Sequence, residues 1–105
     1  FAADYRAVLE VTRNTLGARM ILLEPFVLPV PEDRRSWRVD LDPKIQAVRD
    51  LAREFNALYI PLDGLFAAAA TRREPAFWAA DGVHPTQAGH AFIAHAWLRA
   101  VGAEF

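Results

Sequence analysis

Apolar side chains recur at three- and four-residue spacing over the first sixteen positions: Tyr5, Val8, Leu9 and Leu16, with Thr12 completing the stripe. That period predicts an amphipathic helix over residues 2–16. Gly17 fits its C-terminal cap. The pattern then changes. Met20–Leu23 is an uninterrupted apolar run that stops at Glu24-Pro25, and it reads as a parallel strand buried on both faces. Residues 26–40 read as a loop, with further prolines at 29 and 31 and the charged cluster Glu32–Arg35. Its length raises the expectation that it carries function. Asp42-Pro43 supplies an N-cap and a first helical residue, after which Ile45, Val48, Leu51, Ala52 and Phe55 line one face as far as Asn56. Leu58-Tyr59-Ile60 is a second strand, stopped by Pro61. Asp63 is expected to cap an alanine-rich helix over 64–70, and Thr71–Glu74 has the spacing of a capping box that Pro75 interrupts. A last helix follows Pro85, with Phe92, Ile93, Ala96 and Ala100 as its buried stripe and Gly102 as its stop.

Helix and strand alternate, which argues for parallel α/β architecture in a single domain spanning 1–105. The unit from Met20 to Ile60 is expected to be a right-handed crossover. Its strand ends, Glu24 and Pro61–Asp63, then share the C-terminal edge of the sheet, the edge outside which open α/β folds bind ligands. Residues 81–85 reach the same edge if the short helix runs back across the sheet.

Composition narrows the partners. The 105 residues carry a net charge of −1, which makes no electrostatic case for nucleic acid or an anionic membrane. The longest apolar runs are far short of a membrane span. The chain has no cysteine, hence no disulfide framework and no thiolate metal site. No secretory leader pattern is visible, which favours the cytoplasm, but the first residue is Phe1 rather than Met and leaves the native start open.

The chemistry concentrates in Asp81-Gly82-Val83-His84-Pro85. Gly82 is a poor helix residue, and Pro85 pushes His84 toward an extended backbone. A loop of this length lets Asp81 reach the Nδ1–H of His84, fixing the tautomer and leaving Nε2 outward as a general base. These are two members of a hydrolytic triad. The third is missing: the one serine, Ser36, lies in Arg34-Arg35-Ser36-Trp37-Arg38, without the glycine-flanked turn a nucleophile needs. His90 reads as a structural residue near the first turn of the last helix, and His95 as a partly solvated helix residue. Spacings of six and five put the three histidines on different faces, so no metal site and no cofactor is expected. Glu24 reads as a solvated carboxylate, with contact to the active-site edge as the alternative; Arg34, Arg35, Arg72 and Arg73 read as solvated loop residues. Trp37 and Trp78 read as packing residues, with a cleft wall as the alternative.

The block Asp81-Gly82-Val83-His84-Pro85-Thr86 with Gly89-His90 resembles the last motif of the SGNH hydrolases, the GDSL esterases and lipases. Ile21–Phe26, Trp37 with Asp42-Pro43, Tyr59–Asp63 and Trp78–Asp81 extend the resemblance in the same order. It implies the C-terminal portion of a three-layer α/β/α, flavodoxin-like parallel-sheet domain, here with two strands and about four helices. It also implies His84 as base, Asp81 as its orienting carboxylate, and a small-molecule or carbohydrate ester as substrate. The family's serine, glycine and asparagine blocks have no counterpart in these residues. A missing N-terminal half is therefore expected to carry the nucleophile, and Met20–Leu23 to show an unpaired edge. The alternative is a non-catalytic α/β binding or assembly module.

Overall fold

The computed structural model describes residues 1–104, with side chains through Gly102. Helix α1 (Ala2–Val11) runs into a π-helical turn, Thr12–Leu16, and ends at Gly17 with φ of 63°, the left-handed cap the sequence called for. Strand β1 (Ile21–Leu23) pairs in parallel with β2 (Leu58–Ile60), in the register Ile21–Leu58, Leu22–Tyr59, Leu23–Ile60. Helix α2 (Arg38–Glu54) joins them. It closes on a Schellman motif: Ala57 N–H bonds the Ala52 carbonyl at 2.8 Å, Asn56 N–H the Arg53 carbonyl at 3.3 Å, and Asn56 adopts φ of 51°. Helices α3 (Leu62–Ala69), α4 (Pro75–Trp78) and α5 (Gln87–Glu104) follow.

The period-two alternation of the strands sorts the helices into two layers. Leu22 packs with Leu9 of α1 and with Val48, Leu51 and Ala52 of α2, and Tyr59 leans on the same cluster. Ile60 packs with Leu62 and Phe66 of α3, and Ile21, Phe92, Ile93, Ala96 and Ala100 join that side. The result is a three-layer α/β/α sandwich built on a two-stranded sheet, with the α5 stripe where its spacing placed it.

That sheet is narrow. Among the described residues β1 has a strand on one side only. Leu23 is 39% exposed, so the strand is not buried on both faces as its sequence suggested. Two strands cannot cover what a wider sheet would. The Cα radius of gyration is 14.7 Å against the ~13 Å usual for a chain of about this length, consistent with an open edge.

Five local expectations are corrected. Residues 32–37 form a 3-10 helix, and α2 begins at Arg38 rather than after Asp42, leaving Pro43 inside the helix. Asp42 pairs with Arg38 one turn back at 2.7 Å instead of capping. Asp63 makes no capping bond of its own; its carboxylate takes Arg38 on both oxygens at 2.7 Å. Thr71 Oγ1 turns back to the Ala68 carbonyl at 2.7 Å, so no capping box forms, and Pro75 opens α4 at the position where a missing N–H costs nothing. Gly102 does not stop α5, which continues to Glu104.

Candidate active site

Residues 79–86 leave α4 and enter α5 through a tight excursion. Thr86 anchors its end: Oγ1 accepts from Gly89 N–H at 3.1 Å as the N-cap of α5 and donates to the Phe77 carbonyl at 2.6 Å. Gly89 is required by proximity, because a Cβ there would overlap the Trp78 carbonyl oxygen. Gly82 stands at φ of 88°, and its carbonyl accepts from Leu28 N–H at 2.9 Å.

Inside this frame Asp81 organises everything around it. Its Oδ1 accepts from Val83 N–H at 3.0 Å and His84 N–H at 2.8 Å, while Oδ2 lies 2.6 Å from His84 Nδ1. The His84 backbone N–H, the imidazole and the Val83 N–H together hold the Asp81 carboxyl well below the usual carboxylate range. The imidazole is 84% exposed, so its far nitrogen is open among the described residues. The geometry fits an Nδ1–H donated to a fixed carboxylate and an Nε2 lone pair directed outward. The linkage has a definite sign. With its folded-state pKa depressed, Asp81 contributes stability that is complete above the ordinary aspartate value of about 4 and lost as pH falls through the depressed value.

Gly82→Ala tests this frame. An added Cβ would overlap the Leu28 carbonyl oxygen, lie 2.6 Å from that of Val30, and force alanine into a left-handed backbone. We expect a loss of about 2 kcal/mol or more in urea unfolding. An unshifted midpoint would show that the loop is not so confined.

The neighbouring loop supplies the walls. Trp37 is 43% exposed and lines an open cavity of about 590 Å³ with Phe26, Val39, Leu41, Asp40 and Val83, the residue before His84. Trp78 instead packs against Phe77 and Phe92. Ser36 lies in the 3-10 turn, its hydroxyl donating to the Asp33 carbonyl at 2.8 Å. His90 and His95 lie exposed on α5. Among the described residues no cluster of three or more His, Asp or Glu could hold a metal.

Residues 1–92 match the GDSL-like Lipase/Acylhydrolase family. The chain belongs to that family. This GDSL-like chain is 34% identical over 105 residues to an acetylxylan esterase from Geobacillus stearothermophilus, covering 97% of itself and 48% of that protein. A crystal structure described as a GDSL-like lipase from Parabacteroides merdae superimposes with a TM-score of 0.91 at 31% identity, again over 97% of this chain and 48% of the other. The Geobacillus stearothermophilus acetylxylan esterase superimposes with a TM-score of 0.72 at 29% identity, with the same coverage. The GDSL-like chain thus spans about half the length of the relatives it matches.

Two residues that sequence reasoning set aside turn out to matter. Glu24 is not solvated: it is 1% exposed and receives Arg49 Nε at 2.9 Å, Tyr59 Oη at 2.6 Å and Asp63 N–H at 2.9 Å. Its signal was visible, because Glu24 is the lone charge in the eleven residues Met20–Val30. Arg34 is not a free loop cation either: its Nε donates to the Asp81 carbonyl at 3.2 Å.

Proposed function

We propose that this chain supplies the Asp-His part of the Ser-His-Asp triad of an SGNH-type carboxylic ester hydrolase, and that a preceding N-terminal half carries the serine and the oxyanion donors. The observation that carries this reading is the 2.6 Å contact between Asp81 Oδ2 and His84 Nδ1, with Asp81 Oδ1 pinned by two backbone N–H groups. In the complete protein His84 Nε2 takes the proton of the serine hydroxyl as its oxygen attacks the ester carbonyl. The imidazolium then returns that proton to the leaving alkoxide, giving an acyl-enzyme. His84 next deprotonates a water that attacks the acyl carbon, and the proton passes back to the serine. Asp81 stabilises the imidazolium throughout and remains ionised. An acetylated carbohydrate is the substrate class suggested by the acetylxylan esterase relative.

Among the described residues one edge of β1 carries no strand, and the exposed Val8 shares an apolar cavity with Leu22; this is the surface on which the other half would complete the sheet. The test is a fluorogenic acetyl-ester assay. Residues 1–105 alone are expected to give no turnover, because removing a triad serine alone costs on the order of 10⁶ in kcat. Joined to a serine-bearing N-terminal half, the protein is expected to turn over, with inhibition by diisopropyl fluorophosphate. Fluorophosphate-sensitive turnover by residues 1–105 would place the nucleophile inside this chain and overturn the two-half reading.

A further inference from the structure

The hydrogen bonds within residues 81–84 fix the shape of the loop, but they do not fix where it points. The Ala79–Pro85 bridge and the Gly82 N–H bond to the Ala79 carbonyl at 3.1 Å close its base, and two further ties reach in from distant parts of the chain. One is the Leu28 N–H to the Gly82 carbonyl. The other is Arg34, which among the described residues makes the one side-chain hydrogen bond to 81–84 from another part of the chain. Arg34 lies 47 positions before Asp81 yet packs directly on its loop: its Cγ is 3.4 Å from where a Cβ of Gly82 would stand. Its guanidinium lies 4.0 Å from the centroid of the Trp37 ring, and Asp33 is 3.6 Å from Nη1. The side chain is largely buried and stands on the 3-10 turn Glu32–Trp37. A stacked guanidinium aims a fixed N–H, which a lysine cannot do as well.

We propose that Arg34, braced on Trp37, is a positioning residue that holds the Asp81 carbonyl and so sets the direction of His84 Nε2. This rests on the catalytic reading of the pair. Arg34 touches neither the imidazole nor any reacting atom; it acts by keeping the base in line with the serine, where misplacement by an ångström is costly.

Two readouts test it. In residues 1–105, proton NMR follows the low-field Nδ1–H of His84, which reports its bond to Asp81. In the complete protein, kcat and KM are measured on an acetyl ester. Arg34→Ala is expected to broaden the Nδ1–H signal and lower kcat by about tenfold to a hundredfold with KM unchanged. Arg34→Lys is expected to recover part of both. If Arg34→Ala fails to fold, Trp37→Leu decides, since it removes the brace and leaves the donor: a broadened signal and lowered kcat support the proposal, and parental values overturn it. An active complete protein indifferent to a folded Arg34→Ala overturns the proposal alone. A complete protein without esterase activity removes the catalytic reading itself and the proposal with it.

Discussion

His84→Ala, in a catalytically complete protein containing this chain, is expected to lower kcat on an acetyl ester about a million-fold, close to the cost of deleting the nucleophile. That is about 8 kcal/mol of barrier. The loss is large because the serine, without its base, is a neutral alcohol at neutral pH. Asp81→Asn is expected to cost about 10⁴, and the structure says why. Oδ1 is committed to the N–H groups of Val83 and His84. An asparagine must keep its oxygen there and turn its NH₂ toward Nδ1, which then has to accept. The imidazole proton moves to Nε2, and the base is lost with the fold intact. In that protein protonation of Asp81 is not expected to set the acid limb of the rate profile, because its carboxyl is held well below the usual range. The series is read by steady-state kinetics with circular dichroism as the folding control. A His84→Ala variant retaining a tenth of the parental kcat would remove His84 from the role of base.

The loop was legible because its logic is local. A Gly at positive φ, a Pro that forces extension and a Thr whose hydroxyl caps the next helix are all within six residues, and each acts on backbone close by. The three layers were legible for a similar reason, since period 3.6 and period 2 report burial directly. What failed was whatever depended on partners far along the chain. Asp42-Pro43 carries a strong helix-start signal, yet α2 begins at Arg38, whose guanidinium is held by Asp63, twenty-five positions later, at 2.7 Å. That ion pair and the preceding 3-10 turn set the start. Pro43, in the second turn of the helix, forgoes the bond its N–H would have given the Val39 carbonyl and crowds that carbonyl with its ring. Asp63 looked like a cap for the same reason in reverse: its carboxylate was already engaged by Arg38, and the capping duty passed to Glu24. No window of a dozen residues contains that exchange.

Glu24→Ala is expected to be the most destabilising single change away from the loop, costing about 4 kcal/mol in urea unfolding. The carboxylate stands at the end of β1 and bonds to β2, α2 and α3 at once. Oε2 receives Arg49 at 2.8–2.9 Å and Tyr59 Oη at 2.6 Å, and Oε1 caps α3 through Asp63 N–H at 2.9 Å and Gly64 N–H at 3.4 Å. Burial, and then the bond to Glu24, push the Tyr59 phenol up from its ordinary value, so it remains a donor at any working pH. Truncation strands that hydroxyl and the first amides of α3 and leaves a void among fully packed neighbours. Arg49 suffers least, because its half-exposed guanidinium can turn to water. Glu24→Gln keeps an acceptor for the α3 amides but sets an NH₂ against Arg49, and should fall between Glu24→Ala and Arg49→Ala. The ordering separates a structural hub from a surface ion pair, for which both truncations would cost well under about 1 kcal/mol. The hub also bears on the site. Asp63, whose amide Glu24 holds, clamps Arg38 and approaches Val27 N–H at 3.4 Å, and the segment from Val27 to Trp37 grips the Asp81 loop through Leu28 and Arg34. Glu24→Gln is therefore expected to broaden the His84 Nδ1–H signal under conditions where the chain is still folded. A Glu24→Ala variant as stable as the parent would sever that chain of dependence at its first link.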